Sequence, residues 1–511
     1  MAHGATTEVT ATGTFPKWPT QAWVGGDGVR FEPLKDKGKF RVVVDPSAVV
    51  GVRAVRLVGD DGASKVRPFV ISSIAETAEK ETNDLTSKPQ DVGSEPIVVN
   101  GALAKAGDVD CYRVSLKKGQ TFVASLDANF ALGSPIDAVL QLTDTAGFVV
   151  DQNHDDRGLD PRIVRTIAAD GDYVVRVFAF ASDPNSSIRY HGAADAVYRL
   201  TLTTGPLVDH VFPLAVAAKD SEKPTSAELQ GWSLSASPVN VAAAEFADLP
   251  FAMDLPDRHA GMAFAISRDV PSIVESEPND RAKPQAIATP CVVNARMNHA
   301  DDRDEYLVTW RKGESWRIRA TSKALGFAVD PLVRVFFKDE RHVFRSDDIG
   351  RGNPDVDGTF KVPADGTYRV VVEDTFGSTS SRHLYLLDVR APDADFALTT
   401  TDGEFAAADG KPLEIPVTVE RPAGMTAEIE VRLEGLPKAF GEPTAVSASK
   451  GDTAKKVVLK IPSAAAFSGP VRIVGTAKSE AQTRRVATAA VVGPAIMRIE
   501  QLWLTLPAAK K

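Results

Sequence analysis

The sequence predicts an all-β protein built as tandem β-sandwiches, and three observations carry the prediction. Short runs with period-two alternation recur along the chain. Gly (37) and Pro (33) punctuate them at turn spacing, and a long internal repeat organises more than half of the 511 residues. That length is several times an ordinary domain of about 100–150 residues, so several separate cores are expected. Hydrophobic residues at 43% and charged residues at 25% are ordinary for a folded chain and too apolar for a disordered one. No stretch has the helical 3.6 period over any length.

The repeat starts with FVISSIAETAEKETND from Phe69 to Asp84, matched by FAISRDVPSIVESEPND from Phe264 to Asp280. GDVDCY ending at Tyr112 is echoed by DDRDEY ending at Tyr306, LGSPIDAVLQL from Leu132 by LGFAVDPLVRV from Leu325, and ADGDYVVRV from Ala169 by ADGTYRVVV from Ala364. Glu79 and Glu275 are 196 residues apart, Asp110 and Asp304 are 194, and Gly171 and Gly366 are 195. A constant register across ordered landmarks marks a duplicated unit.

Inside each copy the strands alternate. Tyr173, Val175 and Val177 share one face. Tyr198, Leu200 and Leu202 point in while Arg199, Thr201 and Thr203 point out, and Trp316, Ile318 and Ala320 oppose Arg317 and Arg319. Turns such as Asp170-Gly171 and Asp365-Gly366 join them. A smaller set of β runs precedes each copy, and a further set follows the second, from Leu413, Ala427, Lys455 and Val471. The reading is therefore small sandwiches at 1–74, 206–272 and 391–492, larger ones at 75–205 and 273–390, and a short tail at 493–511 containing Trp503. It implies a rigid, elongated array.

The series ExExND, then DxD before an aromatic, then LGSPxD, then DGxYxVRV resembles the bacterial pre-peptidase C-terminal (PPC) domain, over about half of the chain. The small sandwiches look like the immunoglobulin-like modules that accompany PPC domains in exported planctomycete proteins. The resemblance implies jelly-roll-like PPC sandwiches alternating with immunoglobulin-like ones, no catalytic activity, and a secreted, periplasmic or cell-surface location. The first residues, AHGATTEVTATG after Met1, lack the pattern of a secretory signal, so a signal is absent, removed or truncated.

Glu79, Glu81 and Asn83 alternate, as do Glu275, Glu277 and Asn279, so an extended segment sets their oxygens on one side. Carboxylate and amide oxygens suit calcium, a hard cation that takes roughly six to eight of them. By resemblance to the collagen-binding domains of clostridial collagenases, the ligands are Glu275, Glu277, Asn279, Asp280, Asp301 and Asp304 in the second copy. In the first they are Glu79, Glu81, Asn83, Asp84 and Asp110, with Gly107 standing where Asp301 does. The competing reading is a solvated acidic linker whose Asn and Asp form turns and caps.

Asp137 and Asp330, and the pairs Asp155/Asp156 and Asp347/Asp348, also recur. Two carboxylates could serve a glycosidase, but residues that recur in a repeat read as turn caps. The eight histidines form no HExxH, and neither a GxSxG nor a GxxxxGK motif occurs. Cys111 and Cys291 read as buried apolar filler rather than a disulfide. Trp18, Trp23, Trp232, Trp310, Trp316 and Trp503 are candidates for stacking or for core. A net charge of -9 speaks against nucleic acid, and no run of 18 apolar residues marks a membrane helix. The expected partner is an extracellular or cell-envelope polymer, polysaccharide or protein. The rival functions are an ancillary region of a secreted peptidase or other hydrolase, and an envelope component that self-associates through sheet edges.

Overall fold

The computed structural model describes the chain except residues 16, 60–61, 145, 184–185, 187, 218–224, 236–237, 242–249, 253–258, 339–340, 393–395, 409–410, 422–424, 480–481, 491–497 and 508–511. The protein is all-β, as the alternation predicts. Each long repeat is a pair of five-stranded sheets. In the first copy one sheet runs in the order Arg162–Thr166, Thr121–Asp127, Val197–Thr203, Ile97–Ala102, Ala75–Ala78. The other runs Val149–Asn153, Ile136–Thr143, Gly171–Ala181, Asp110–Leu116, Gln90–Gly93. The second copy has the same order of equivalent strands, from Ser272–Val274 through Cys291–Arg296, Leu384–Arg390 and Ser315–Thr321 to Val356–Lys361, faced by the sheet holding Arg303–Trp310 and Gly366–Asp374.

The repeat also preserves its fixings. Asp160 accepts hydrogen bonds from the backbone N–H groups of Ala128, Phe130 and Ala131, and Asp355 accepts them from Ser322, Lys323 and Ala324. Each carboxylate thus satisfies the first N–H groups of a single helical turn that would otherwise lack partners. Tyr173 and Tyr368 each donate to the carbonyl four residues upstream, Ala169 and Ala364. Leu140, Val175, Val177 and Leu200 fill the first core, and Val333, Val370, Val372 and Leu387 the second.

The alternation fails in one instructive place. Arg199, Thr201 and Thr203, expected to face solvent, are buried. Arg199 is engaged by Glu76, which also pairs with the Met1 amino group, and the rest of that outer face is covered by the next sandwich, where Val98 and Val123 pack on Leu207 and Ala260. The second copy is covered from the same small sandwich. Phe212, Leu214, Ala215 and Ile266 pack on Val292, Leu384 and Leu386. A small sandwich wedged between two large ones buries both faces of the strands it touches, and period two loses its meaning there.

Asp209, on the small-sandwich strand Leu207–Phe212, lies at this junction with only 2% of its side chain exposed. Arg162 of the first copy donates to it at 2.6 Å, Arg382 of the second copy donates through Nη1, and His210 Nδ1 lies at 2.8 Å. Arg162 also lies over the Trp232 ring, 4.9 Å from its centroid. Phe130 of the first copy reaches Gly326 of the second, where an added Cβ would come within 2.6 Å of the ring.

The two ends of the chain also meet, which corrects the elongated array. Arg56 of the first sandwich, 1% exposed, donates to the carbonyls of Gly403 (3.0 Å) and Gln501 (3.2 Å) in the last. Its guanidinium lies 5.5 Å from the Trp23 ring centroid and 6.0 Å from that of Trp503. Val66 joins the core of the last sandwich. The segment read as a tail contains the strand Leu502–Leu506, buried throughout, paired antiparallel with Phe467–Val471 and parallel with Glu404–Ala406. Residues 491–497 and 508–511 of the region lie outside the described residues. Its alternation was hidden because LWLTL is buried on both faces.

Replacing Asp209 by Ala takes away the counter-charge that both buried guanidinium groups contact directly and leaves them the more distant, partly exposed Asp156, 3.3 Å from Arg162 and 3.9 Å from Arg382. The expected loss is about 3–5 kcal/mol, read as a fall in urea midpoint, and a change below about 1 kcal/mol would show that the junction does not depend on this carboxylate. Burial opposes ionisation of Asp209, but Arg162, His210 and Arg382 prevail and hold its pKa well below the usual range. Its contribution is therefore present above the unfolded-state pKa and lost as pH falls through the folded value.

Candidate metal centre

Each long repeat is entered by an edge strand that runs parallel to its neighbour and then breaks into the acidic segment. In the second copy Ser272–Val274 pairs with Val292–Asn294, and this register delivers Glu275 beside the chain of Arg296. Glu275 Oε1 accepts the Arg296 N–H at 2.8 Å. Glu277 accepts from Asn298 Nδ2 at 2.6 Å and from the backbone N–H of Asn279 at 2.9 Å. Asn279 is 1% exposed, and its carbonyl accepts the Glu305 N–H at 2.7 Å, which locks the segment onto the start of strand Arg303–Trp310. That strand supplies Asp304, which is fully buried and accepts a hydrogen bond from the Tyr385 hydroxyl, itself 3.0 Å from that of Tyr306.

One carboxylate oxygen from each of Glu275, Glu277 and Asp304 lies within 4.8 Å of the others. Around them Glu275 Oε2, Asp304 Oδ1 and both side-chain polar atoms of Asn279 are buried without a hydrogen-bond partner. Leaving buried polar atoms unpaired costs about 1–3 kcal/mol each, more for charged groups. So many in one place describe a cradle of oxygen donors. Burial first, and then the neighbouring carboxylates, push Glu275 up to about 9 and Asp304 up to about 8.

The first copy repeats this arrangement. Glu79, Glu81 and Asp110 form one cluster; Glu79 Oε2 accepts the Ala102 N–H at 2.9 Å, and Asp110 accepts from Tyr198 at 2.6 Å. Asn83 Oδ1 and Asp110 Oδ1 are buried and unpartnered, and burial together with Glu79 raises the Asp110 pKa. Glu81, Asp84 and Asp108 form a second cluster sharing Glu81, with Lys105 lying 3.5 Å from Asp84 and 3.7 Å from Asp108.

Two residues assigned by resemblance fall elsewhere. Asp280 is exposed and accepts from the N–H groups of Ala282 and Lys283, closing its own turn. Asp301 is exposed with φ +57, and its side chain lies over Gly377, apart from the cluster. The buried partner of Asp304 across the turn is Asp302, one residue on, which caps the N–H groups of Asn298 and Arg303. Its equivalent is Asp108. The DxD spacing held this signal, but matching Asp301 to Gly107 placed it one residue early. The tyrosine hydroxyls of Tyr198 and Tyr385 were missed because they come from a distant strand.

None of the other repeated acids belongs to these clusters. Asp156 lies 3.3 Å from Arg162, Asp155 2.9 Å from His154 and Asp347 2.9 Å from Arg345. Asp330 donates its N–H to Asp374, and burial raises the pKa of Asp137. The tryptophans are engaged in packing: Trp18 donates to Leu34 O within the first core, Trp23 and Trp503 flank Arg56, Trp232 underlies Arg162, and Trp310 stacks on Trp316. Cys111 and Cys291 are both buried free thiols.

No family model and no curated protein matches the chain. Solved structures similar to it include the pre-peptidase C-terminal domain of a collagenase from Bacillus anthracis, at 12% identity and TM-score 0.18, covering 21% of this chain and 93% of that one. A protein from Eubacterium rectale described as secreted is similar at 10% identity and TM-score 0.16, covering 62% of this chain and 86% of that one. The M60 catalytic domain with the CBM51-1 and CBM51-2 domains of ZmpB from Clostridium perfringens is similar at 9% identity and TM-score 0.16, covering 75% and 56%.

In chelator, carboxylates whose pKa is raised by folding stabilise the fold while protonated. The melting temperature should therefore fall from pH 5 to pH 8, as Glu275 and Asp304 are driven to ionise against their folded values of about 9 and 8. The E275Q/D304N double variant should reduce that slope, leaving the part that Asp110 contributes in the first copy, and an unchanged slope in the variant would place its origin elsewhere.

Proposed function

We propose that the chain is a non-catalytic binding protein of the exported class, whose two long sandwiches each hold calcium between the entering acidic segment and the first core strand. The observation that carries this is the coincidence, in both copies, of clustered carboxylates with buried, unpartnered amide and carboxylate oxygens. The donors are all oxygen, as calcium prefers, and they are drawn from two segments that a bound ion would pin together. Glu275, Glu277, Asn279 and Asp304 hold the ion in the second copy; Glu79, Glu81, Asn83 and Asp110 hold it in the first. Calcium supplies charge neutralisation, while the tyrosine hydroxyls keep each buried aspartate oriented. Among the described residues no helix is long and apolar enough to cross a membrane. The ligand is an extracellular or cell-envelope polymer. A linear spacer is the weaker alternative, because Arg56 ties the first sandwich to the last.

Saturating calcium should stabilise the protein by about 4 kcal/mol per site at a thousandfold excess over Kd, seen as a rise in melting temperature that E277Q and D304N reduce and that is removed only when E81Q and D110N are added. Calorimetric titration showing no calcium uptake by the wild type would overturn the metal assignment. Co-sedimentation with insoluble cell-wall, polysaccharide and collagen preparations tests the binding role. Calcium-dependent pull-down supports it, and a protein that stays in solution throughout counts against it.

A further inference from the structure

Beside the metal centre of the second copy lies an open groove of about 470 Å³ between that sandwich and the small one preceding it. It is lined by Glu275, Glu277, Arg296 and Asn298 of the second copy and by Phe212, Ser226 and Glu228 of the small sandwich. Arg296 is the residue whose backbone N–H fixes Glu275, so its side chain leaves the sheet next to the cluster. The guanidinium carbon lies 3.7 Å from the centroid of the Phe212 ring. The side chain is half-buried, Nε is buried without a partner, and no ion pair or hydrogen bond engages the guanidinium among the described residues. A partly dehydrated arginine held rigid on an aromatic face, with its donor edge unused, is a preorganised receptor for a carboxylate.

In the groove without an ion, the charges of Glu277 and Glu228 offset that of Arg296 and leave little attraction for an anion. A divalent cation held by the cluster would add positive charge beside the arginine and favour an anion. Resting on the calcium assignment above, we propose that the bound ion and Arg296 together form a two-point site for an acidic sugar of the uronic acid type. Its carboxylate bridges the calcium and the guanidinium, and its neighbouring hydroxyls meet the Ser226 hydroxyl and the Asn298 amide. An acidic sugar fits better than an acidic peptide because the lining offers the Ser226 hydroxyl and the Asn298 amide beside Arg296. The first copy provides an internal control. Ala102 occupies the position of Arg296 and makes the same backbone contact to its glutamate, so that copy has a metal cradle and no arginine arm.

The test uses the full chain and isothermal titration with calcium alone, then with oligogalacturonate at saturating calcium and again in chelator. Calcium-dependent oligogalacturonate binding is expected. R296Q should weaken it roughly ten- to hundredfold while calcium uptake persists, which certifies the variant's fold; R296K, keeping charge without the planar fork, should fall between. Calcium uptake without oligogalacturonate affinity, or affinity indifferent to R296Q, overturns this inference and leaves the metal assignment standing. Absence of calcium uptake overturns both. Oligoglutamate binding as tightly as oligogalacturonate overturns the assignment to a sugar.

Discussion

A single buried carboxylate, Asp209, organises the centre of this molecule. It stands on the small middle sandwich and meets one arginine from each long repeat, so three cores share one ion cluster. Such a group is costly to bury, and the cost is offset only while Arg162, Arg382 and His210 all remain in place. That condition links the relative position of the two repeats to the fold of the sandwich between them. The apolar contacts of Leu207 and Ala260 on one side, and of Phe212 and Leu214 on the other, then have a fixed geometry to fill.

The same middle sandwich forms half of the groove beside the second metal centre, through Phe212. Strand Leu207–Phe212 therefore carries Asp209 near one end and the platform for Arg296 at the other. Rotation of the second repeat against this strand would disturb both. The duplicated architecture thus serves unequal ends. Both copies have the cradle, while the arginine arm belongs to the copy that the middle sandwich covers along this edge.

Closure of the chain follows the same physics at a second junction. Arg56 is buried between Trp23 and Trp503; two carbonyls of the last sandwich accept from its guanidinium, the charge of Glu404 supports it, and Nε is left without a hydrogen-bond partner. The aromatic faces take up the charge that the carbonyls alone would leave exposed to a low-dielectric setting. Nothing local in the sequence around Arg56 distinguishes it from Arg53 three residues before, whose guanidinium donates to Val49 and Val52 nearby.

Local chemistry and periodicity, which need only neighbours in the chain, determined the all-β class, the duplication and its register, and the placement of Glu79, Glu81, Asn83, Glu275, Glu277 and Asn279 on entering segments. The DGxY turns were legible for the same reason, since a glycine at φ +153 or +154 is required where Gly366 and Gly171 start their strands. Contacts between sandwiches lie beyond that reach. Thr201 and Thr203 carry outward polar character that only the covering sandwich overrides, and Leu502–Leu506 lost its alternation because both its faces are buried. Asp302 and Asp301 are adjacent acids that sequence alone does not separate; the backbone turn sends one into the protein and the other over Gly377. The tertiary structure decided which oxygens meet, because side chains from the entering segment, the turn and a strand some 80 residues on, at Tyr385, converge only when the sheets stack.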